Sequence, residues 1–89
     1  MDKEKEFNDV IKKLNTIDLE AIGLPDNIKL EFYKYYKQST IGDCNIPRPT
    51  FLYFKDCAKW DAWNSIKNMS KSDAMNNYIN CYNNYIAIK

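Results

Sequence analysis

Residues 43–50 read DCNIPRPT, and this segment decides the fold. Its two prolines are two positions apart, and proline lacks the backbone N–H and restricts the residue before it. Neither a helix nor a strand tolerates that spacing well, so we predict a long ordered connection. A long connection in a helical bundle lets consecutive helices run parallel, whereas short turns force them antiparallel.

The segments on either side of this connection have helical spacing. Asp26 is a plausible N-cap for a second helix, which should stop near Ile41 because Gly42 suits the left-handed position after a helix. A third helix is predicted from Tyr53 to Lys67. Its apolar side is marked by Phe54, Ala58, Trp60, Trp63 and Ile66. Both Trp side chains are most simply core residues at this spacing.

Two further helices complete the pattern. A first amphipathic helix is predicted from about Lys3 to Asn15, followed by a loop over residues 16–25. A fourth helix begins at Ser70, since Ser70 and Asp73 have the spacing of a capping box. No strand-like alternation of any length is present. The sequence therefore predicts an all-α fold, a four-helix bundle with its long connection between helices 2 and 3.

Length and charge limit the class of protein. With 89 residues, the expectation is a single domain over residues 1–89. The net charge of +1 weighs against nonspecific nucleic-acid binding, which normally needs a strong basic excess. Three cysteines without a C-x-x-C pair favour a reducing cytoplasmic setting. The N-terminus does not resemble a signal peptide, and no apolar run is long enough to predict a membrane span.

The inventory of reactive side chains argues against catalysis. Histidine is absent, so the usual general base is missing. Cys81 is on a predicted apolar face and is interpreted as a buried structural thiol. Zinc has too few ligands at normal spacing, and the two glycines form no phosphate-binding loop. We therefore predict a protein that is not an enzyme and has no catalytic residue, metal or cofactor.

Aromatic and basic side chains alternate on the predicted second and third helices. Tyr33, Tyr36 and Lys37 share one helix face, and Lys55 and Lys59 share another. A Tyr ring can stack on a planar base, and a Lys ammonium can pair with phosphate. The same pattern fits core packing for the Tyr residues and a solvated face for the Lys residues. From the residues alone, the interpretation stops at a helical domain that could bind an anionic aromatic ligand.

A longer set of motifs carries a family resemblance. The order and spacing of these motifs match the family pattern without a gap, and the motifs read Tyr36-Lys37-Gln38, Thr40-x-Gly42-Asp43-x-Asn45, Arg48-Pro49, Ala58-Lys59-Trp60-Asp61-Ala62-Trp63-Asn64, Ser70-Lys71-x-Asp73-Ala74-Met75 and Tyr78-Ile79. With them, the segment from Tyr33 to Ile79 resembles the acyl-CoA-binding protein family, also known as diazepam-binding inhibitor. The resemblance implies up-down-down-up topology and one fatty acyl-CoA bound per monomer. It also implies a cytoplasmic carrier and pool former for medium- to long-chain acyl-CoA.

The resemblance also assigns roles to residues. Tyr36 matches the family tyrosine that stacks on adenine. Three residues match those that hold the 3′-phosphate of the nucleotide, namely Tyr33, Lys37 and Lys59. Lys55 and Tyr78 match further positions that contact the ligand, and Leu30 is the expected contact for the acyl tail.

Some positions depart from the family pattern. Asn15 stands where the family often has a ligand-contacting lysine, and Lys13 is an alternative source of that charge. Lys29 stands where the family often has an apolar groove residue. Tyr53 replaces a common acidic residue at the start of the third helix, which removes a favourable charge of typically ~0.3–1 kcal/mol. These departures concern the end of the implied binding site that holds the acyl tail more than the end that holds the nucleotide.

Two other functional classes remain open on the residues alone. In a protein-interaction module, the aromatic helix faces would dock a partner helix, and Lys37 and Lys59 would contribute little. A nucleic-acid binder is the weaker alternative, because basic runs are absent. Nothing in the pattern demands more than a monomer.

Overall fold

The computed structural model describes residues 3–87, and every regular element in this range is a helix. The elements are α1 (Lys3–Leu14), α2 (Leu19–Ile22), α3 (Asp26–Thr40), α4 (Phe54–Asn64) and α5 (Lys71–Tyr85). The four longer helices form the predicted four-helix bundle in up-down-down-up order. α3 packs against both α4 and α5, and α1 packs against α5. α3 is therefore the helix that joins the core to the face formed with α4.

The core is built around aromatic rings from three helices. Phe7 of α1 and Phe32 of α3 are buried, and both contact Tyr78 of α5 edge to face at centroid distances of 5.1 and 5.5 Å. Val10 and Ile79 are buried beside them. Full burial of one large apolar side chain is worth about 1.5–3 kcal/mol, so α1, α3 and α5 hold each other through this cluster.

The sequence prediction is wrong for the N-cap of α3 and confirmed for the glycine that follows the helix. The prediction of Asp26 as N-cap is wrong, because Pro25 occupies that position with φ −61° and ψ 155°. Its carbonyl accepts hydrogen bonds from the N–H groups of Ile28 and Lys29 at 3.0 and 3.1 Å, and no side chain caps the helix. At the other end, Gly42 takes φ 105°, as predicted. This left-handed conformation favours glycine and ends α3.

The predicted loop over residues 16–25 contains the short helix α2, so that prediction is wrong for residues 19–22. The Ile22 N–H donates to the Asp18 carbonyl at 3.2 Å, and Gly23 follows with φ 79°. One helical turn is too short to show an apolar repeat, which explains why periodicity does not reveal it. α1 ends at Leu14, one residue before the predicted end.

α4 is shorter than predicted, because residues 65–68 form turns after Asn64. The Ile66 N–H donates to the Trp63 carbonyl at 3.2 Å, and Asn68 has a positive φ of 78°. The Asn68 N–H is instead bound by the carboxylate of Asp43 at 2.8 Å. This distant partner ends the helix before the predicted Lys67. α5, by contrast, begins as predicted, with the Ser70 hydroxyl accepting the Asp73 N–H at 3.0 Å.

The proline-containing connection is fixed to α4 by side chains of that helix. The indole N–H groups of Trp60 and Trp63 donate to the carbonyls of Ile46 and Gly42 at 2.7 and 2.8 Å. Arg48 donates to both carboxylate oxygens of Asp61 at 2.9 Å. Trp63 is buried as predicted, but Trp60 is only partly buried and lies against the connection instead of the core. The connection is thus ordered, as its sequence predicts.

A candidate ligand-binding groove between two helices

A groove of about 330 Å³ lies between α3 and α4. Four of the residues that sequence reasoning selected line it, namely Leu30, Tyr33, Lys55 and Lys59. Lys55, Ala58 and Lys59 face it together because they are spaced i, i+3, i+4 on α4. The lining therefore combines an apolar floor with basic side chains.

Two ammonium groups, one from α3 and one from α4, lie close to the Tyr33 ring. The Nζ atom of Lys37, one turn along α3, is 5.9 Å from the ring centre, and the Nζ atom of Lys59 on α4 is 5.6 Å away. Lys37 also lies over Trp63 at 5.0 Å. Aromatic faces attract cations at such distances, so the rings hold both lysines near one point.

Partial burial raises the pKa of the Tyr33 phenol above its usual value, and the nearby Cys44 and Asp56 raise it further. The phenol therefore stays protonated at neutral pH and can donate a hydrogen bond. Together with Lys37 and Lys59, it offers a neutral donor and two cations to an anion. A phosphate group, with several acceptor oxygens, suits that arrangement.

Tyr36 presents a second aromatic surface on α3. Its side chain is 40 % exposed, and its ring centre is 6.4 Å from that of Phe7 and 6.2 Å from that of Tyr78. The two core rings therefore support Tyr36 from behind while part of its surface remains open. Such a supported ring can stack on a planar base with little loss of side-chain freedom.

Tyr78 occupies a different environment from the other predicted site residues. It is only 6 % exposed and contacts Phe7, Phe32 and Tyr36. Burial raises its pKa to about 12, with smaller contributions from Tyr36 and Cys81. The structure therefore gives Tyr78 a supporting position behind Tyr36, and its direct contact with a ligand stays a prediction.

The comparisons with known proteins agree on one family. Residues 4–82 match the family model described as acyl CoA binding protein, which covers most of the chain. The chain belongs to the acyl-CoA-binding protein family.

Individual relatives bear this out. The chain is 43% identical over 77 residues to acyl-CoA-binding domain-containing protein 5A of Danio rerio, covering 85% of this chain and 15% of the relative. It is 39% identical over 79 residues to acyl-CoA-binding domain-containing protein 3 of Oryza sativa subsp. japonica, covering 89% of this chain and 49% of the relative. The chain thus spans less than half the length of each of these two relatives.

Solved structures of the family have the same fold. The crystal structure of the acyl-CoA-binding protein of Moniliophthora perniciosa aligns with a TM-score of 0.88 at 33% identity, covering 98% of this chain and 82% of that one. The crystal structure of Oryza sativa acyl-CoA-binding protein 2 aligns with a TM-score of 0.85 at 31% identity, covering 97% of this chain and 92% of that one.

The positions that depart from the family pattern lie in distinct places. Lys29 lines the groove, and its Nζ atom is 4.0 Å from an Asp26 carboxylate oxygen. Asn15 follows α1 and is exposed. The Nζ atom of Lys13 lies 5.8 Å from the centre of the Tyr82 ring. The groove lining therefore carries a Lys29–Asp26 charge pair where the family often has an apolar residue.

A second cavity of about 260 Å³ shares Tyr33 and Lys59 with the first groove. Sequence reasoning did not select the residues that complete its lining, which are Ile46, Pro49, Asp56 and Trp60. It also missed Asp26 and Ala58 in the first groove. Ala58 could have been found from its position beside Lys55 and Lys59 on one helix face. Ile46 and Pro49 belong to the connection, which has no helical repeat to indicate which way its side chains face.

Within residues 3–87, no group of three or more His, Cys, Asp or Glu side chains is placed to hold a metal ion. Burial raises the pKa of the Cys81 thiol to about 11, so it stays protonated and unreactive at neutral pH. None of the described helices has the length and apolar character needed to cross a bilayer.

Proposed function

We propose that this chain binds medium- to long-chain fatty acyl-CoA thioesters in the groove between α3 and α4. Membership of the acyl-CoA-binding protein family implies acyl-CoA as the ligand. The observation that carries the assignment to this groove is the approach of both Lys37 and Lys59 to the Tyr33 ring. Two cations and a protonated phenol at one point suit the dianionic 3′-phosphate of coenzyme A.

The aromatic surface beside this point supports the rest of the nucleotide. Tyr36 is open to solvent and backed by Phe7 and Tyr78, so it would stack on adenine while Lys37 pairs with phosphate. Tyr36 and Lys37 lie three and four residues after Tyr33 on α3, and they therefore present base-binding and phosphate-binding groups on either side of Tyr33. Tyr78 would pack behind the Tyr36 ring and support it against adenine.

The apolar floor of the groove supports the acyl tail. Leu30 and Ala58 line it, and Lys55 flanks them from α4. Each buried methylene contributes about 0.8 kcal/mol, or about fourfold in Kd, so affinity should rise with chain length. The Lys29–Asp26 pair in the groove lining would contact the thioester end or solvent, because an apolar tail offers neither charge a partner.

Calorimetric titration tests this assignment directly. We expect free CoA to bind far more weakly than palmitoyl-CoA, with Kd falling steadily from octanoyl- to palmitoyl-CoA. Equal affinity for free CoA and palmitoyl-CoA would reject tail burial in the groove. Failure of both ligands to bind would reject the proposal as a whole.

The proposed role is that of a monomeric carrier and pool former in the cytoplasm, without catalysis. The thioester would leave the protein chemically unchanged. Incubating the protein with palmitoyl-CoA and assaying released CoA thiol tests this point, and thiol release above the protein-free rate would contradict it. Because the matched relatives include much longer proteins, the role of the domain within a whole protein is part of this proposal.

A further inference from the structure

A tight turn between the connection and α4 has an unusual composition. The Tyr53 N–H donates to the Thr50 carbonyl at 3.0 Å, which makes Phe51 and Leu52 the central residues of the turn. Central turn positions are ordinarily filled by Gly, Pro, Asn, Asp or Ser, each of which suits solvent or the turn geometry. Here both positions carry large apolar side chains, and neither is required by the conformation.

These side chains continue into an exposed apolar patch. Phe51, Leu52, Tyr53 and Phe54 are 74, 70, 61 and 79% exposed, and we call residues 51–54 the turn patch. Contiguous exposed apolar surface of this kind marks interaction sites in soluble domains. The residues that line the two cavities do not include any of the four. The turn patch is therefore separate from the proposed acyl-CoA site.

The turn is held firmly in this exposed position. The buried Cys57 thiol contacts the carbonyls of Pro49 and Thr50 at 3.4 and 3.2 Å, and the Cys57 N–H donates to the Tyr53 carbonyl at 2.9 Å. The backbone behind the tip is thus anchored to the first turn of α4. Because the backbone of the tip is already fixed, inserting its apolar side chains into another environment has little backbone ordering cost.

The arrangement of the four side chains favours a bilayer over a protein surface as the partner of the turn patch. They are successive residues around a turn and into a helix, and every one is mostly exposed. A rigid protein surface covers one side of such a projecting tip, whereas the fluid interface of a bilayer can surround it. The Tyr53 ring, with its polar hydroxyl, also suits the boundary between headgroups and acyl chains.

The charges next to the turn patch favour an anionic surface. Lys55 follows the patch directly and Lys59 lies one turn further along α4, both exposed. Asp56 is also exposed there and reduces the local positive charge, but the two lysines outnumber it. Basic residues beside an apolar tip are the combination that binds anionic lipid headgroups.

We propose that the turn patch inserts into the surface of an anionic phospholipid bilayer. Phe51 and Leu52 enter the interface, Tyr53 and Phe54 lie at its edge, and Lys55 contacts the headgroups. The inserted residues anchor the domain peripherally and leave the groove between α3 and α4 accessible. The lipid surface is thereby brought next to the groove, because Lys55 lines the groove and directly follows the turn patch in sequence.

Sedimentation with large unilamellar vesicles tests this inference on the whole chain without any acyl-CoA, so its outcome is independent of the proposed ligand. We expect the protein to partition onto mixed phosphatidylcholine–phosphatidylserine vesicles and less onto pure phosphatidylcholine. The double variant Phe51→Ser/Leu52→Ser should lower the partition coefficient by about tenfold or more. The matched control Ile22→Ser/Tyr85→Ser removes two exposed apolar side chains elsewhere and should retain binding.

Other outcomes would overturn the inference. Wild-type protein that stays in the supernatant with both lipid mixtures rejects it without any variant. Equal partitioning of the turn variant, with its circular dichroism unchanged, also rejects it. A concentration-dependent dimer in sedimentation velocity that the turn variant abolishes, with no vesicle binding, would assign the patch to a second copy of the chain instead.

Discussion

The Nζ atom of Lys59 lies 5.6 Å from the centre of the Tyr33 ring and joins α4 to α3 across the groove. Lys37 approaches the same ring at 5.9 Å. Two like charges gathered around one aromatic ring repel each other, and an anion between them would relieve that repulsion. The site is therefore arranged for a phosphate before any ligand binds, which lowers the ordering cost of binding.

The first prediction concerns these two lysines. Lys37→Ala or Lys59→Ala should weaken palmitoyl-CoA binding by about 10- to 100-fold, since a hydrogen bond to a charged group is worth about 1.5–3 kcal/mol. Calorimetry should show the loss, and it should shrink at high salt. Lys12→Ala, on the exposed face of α1, is the matched control and should leave Kd unchanged. An equal loss in all three variants would point to overall charge instead of a phosphate site.

The second prediction separates the Tyr36 ring from its hydroxyl group. Tyr36→Phe keeps the stacking surface backed by Phe7 and Tyr78, so we expect a small change in Kd. Tyr36→Ala removes that surface and should cost about 1–3 kcal/mol of binding free energy, the usual contribution of one base–aromatic stack. Calorimetry with free CoA isolates the effect, because no acyl tail is present. Equal losses in the two variants would show that the hydroxyl, not the ring, contacts the nucleotide.

Local rules explain which features the sequence predicted. The Ser70–Asp73 cap and the left-handed Gly42 each depend on residues within a few positions, and both are confirmed. The end of α4 depends on the Asn68 N–H reaching Asp43, which is remote in sequence and invisible to periodicity. The Pro25 N-cap was missed because a polar capping residue stood next to it.

The residues of the candidate site also fall into those that local spacing predicts and those that depend on packing between helices. Tyr33 and Lys37 share a face of one helix, so spacing alone could place them together. Lys59 joins them only through the packing of α3 on α4, and the family resemblance supplied that pairing before the structure did. Trp60 was assigned to the core because apolar spacing does not show that its N–H binds the Ile46 carbonyl.

The third prediction concerns the two tryptophans that hold the connection. Trp63 is 1% exposed and donates to the Gly42 carbonyl, so Trp63→Phe leaves that partly buried acceptor without its partner. We expect a loss of about 1–3 kcal/mol in the free energy of unfolding by urea. Trp60→Phe should cost less, since the partly exposed Ile46 contact can be replaced by water. A larger loss of unfolding free energy for Trp60→Phe than for Trp63→Phe would show that the connection, more than the interior, limits stability.

The fourth prediction follows from the burial of Tyr78. Its pKa is raised to about 12 in the folded protein, whereas an unfolded tyrosine titrates near 10, so folding favours the protonated phenol. The resulting stability is fully present below about pH 10 and is lost as pH rises through about 12. Urea unfolding at about pH 8 and about pH 11 should show this loss, and Tyr78→Phe should reduce it. Tyr85→Phe, at an exposed ring, is the control and should retain the wild-type pH dependence.

The fifth prediction concerns Asp43, whose carboxylate joins three segments of the chain. Hydrogen bonds from the Asn68 N–H and from the Gln38 side-chain amide, both at 2.8 Å, hold the Asp43 pKa below its usual value. Its contribution to stability is therefore present above the unfolded pKa and is lost as pH falls through the lower folded pKa. Asp43→Asn should flatten the dependence of unfolding free energy on pH below about pH 5.

The control for Asp43 is another exposed carboxylate, that of Asp56. Asp56→Asn removes a charge at the start of α4 but leaves the hydrogen bonds from Gln38 and Asn68 in place. We expect its acid unfolding curve to follow that of the wild type. If both variants flatten the curve equally, acid unfolding depends on net charge, and the hydrogen bonds at Asp43 do not specifically stabilise the turn between α4 and α5.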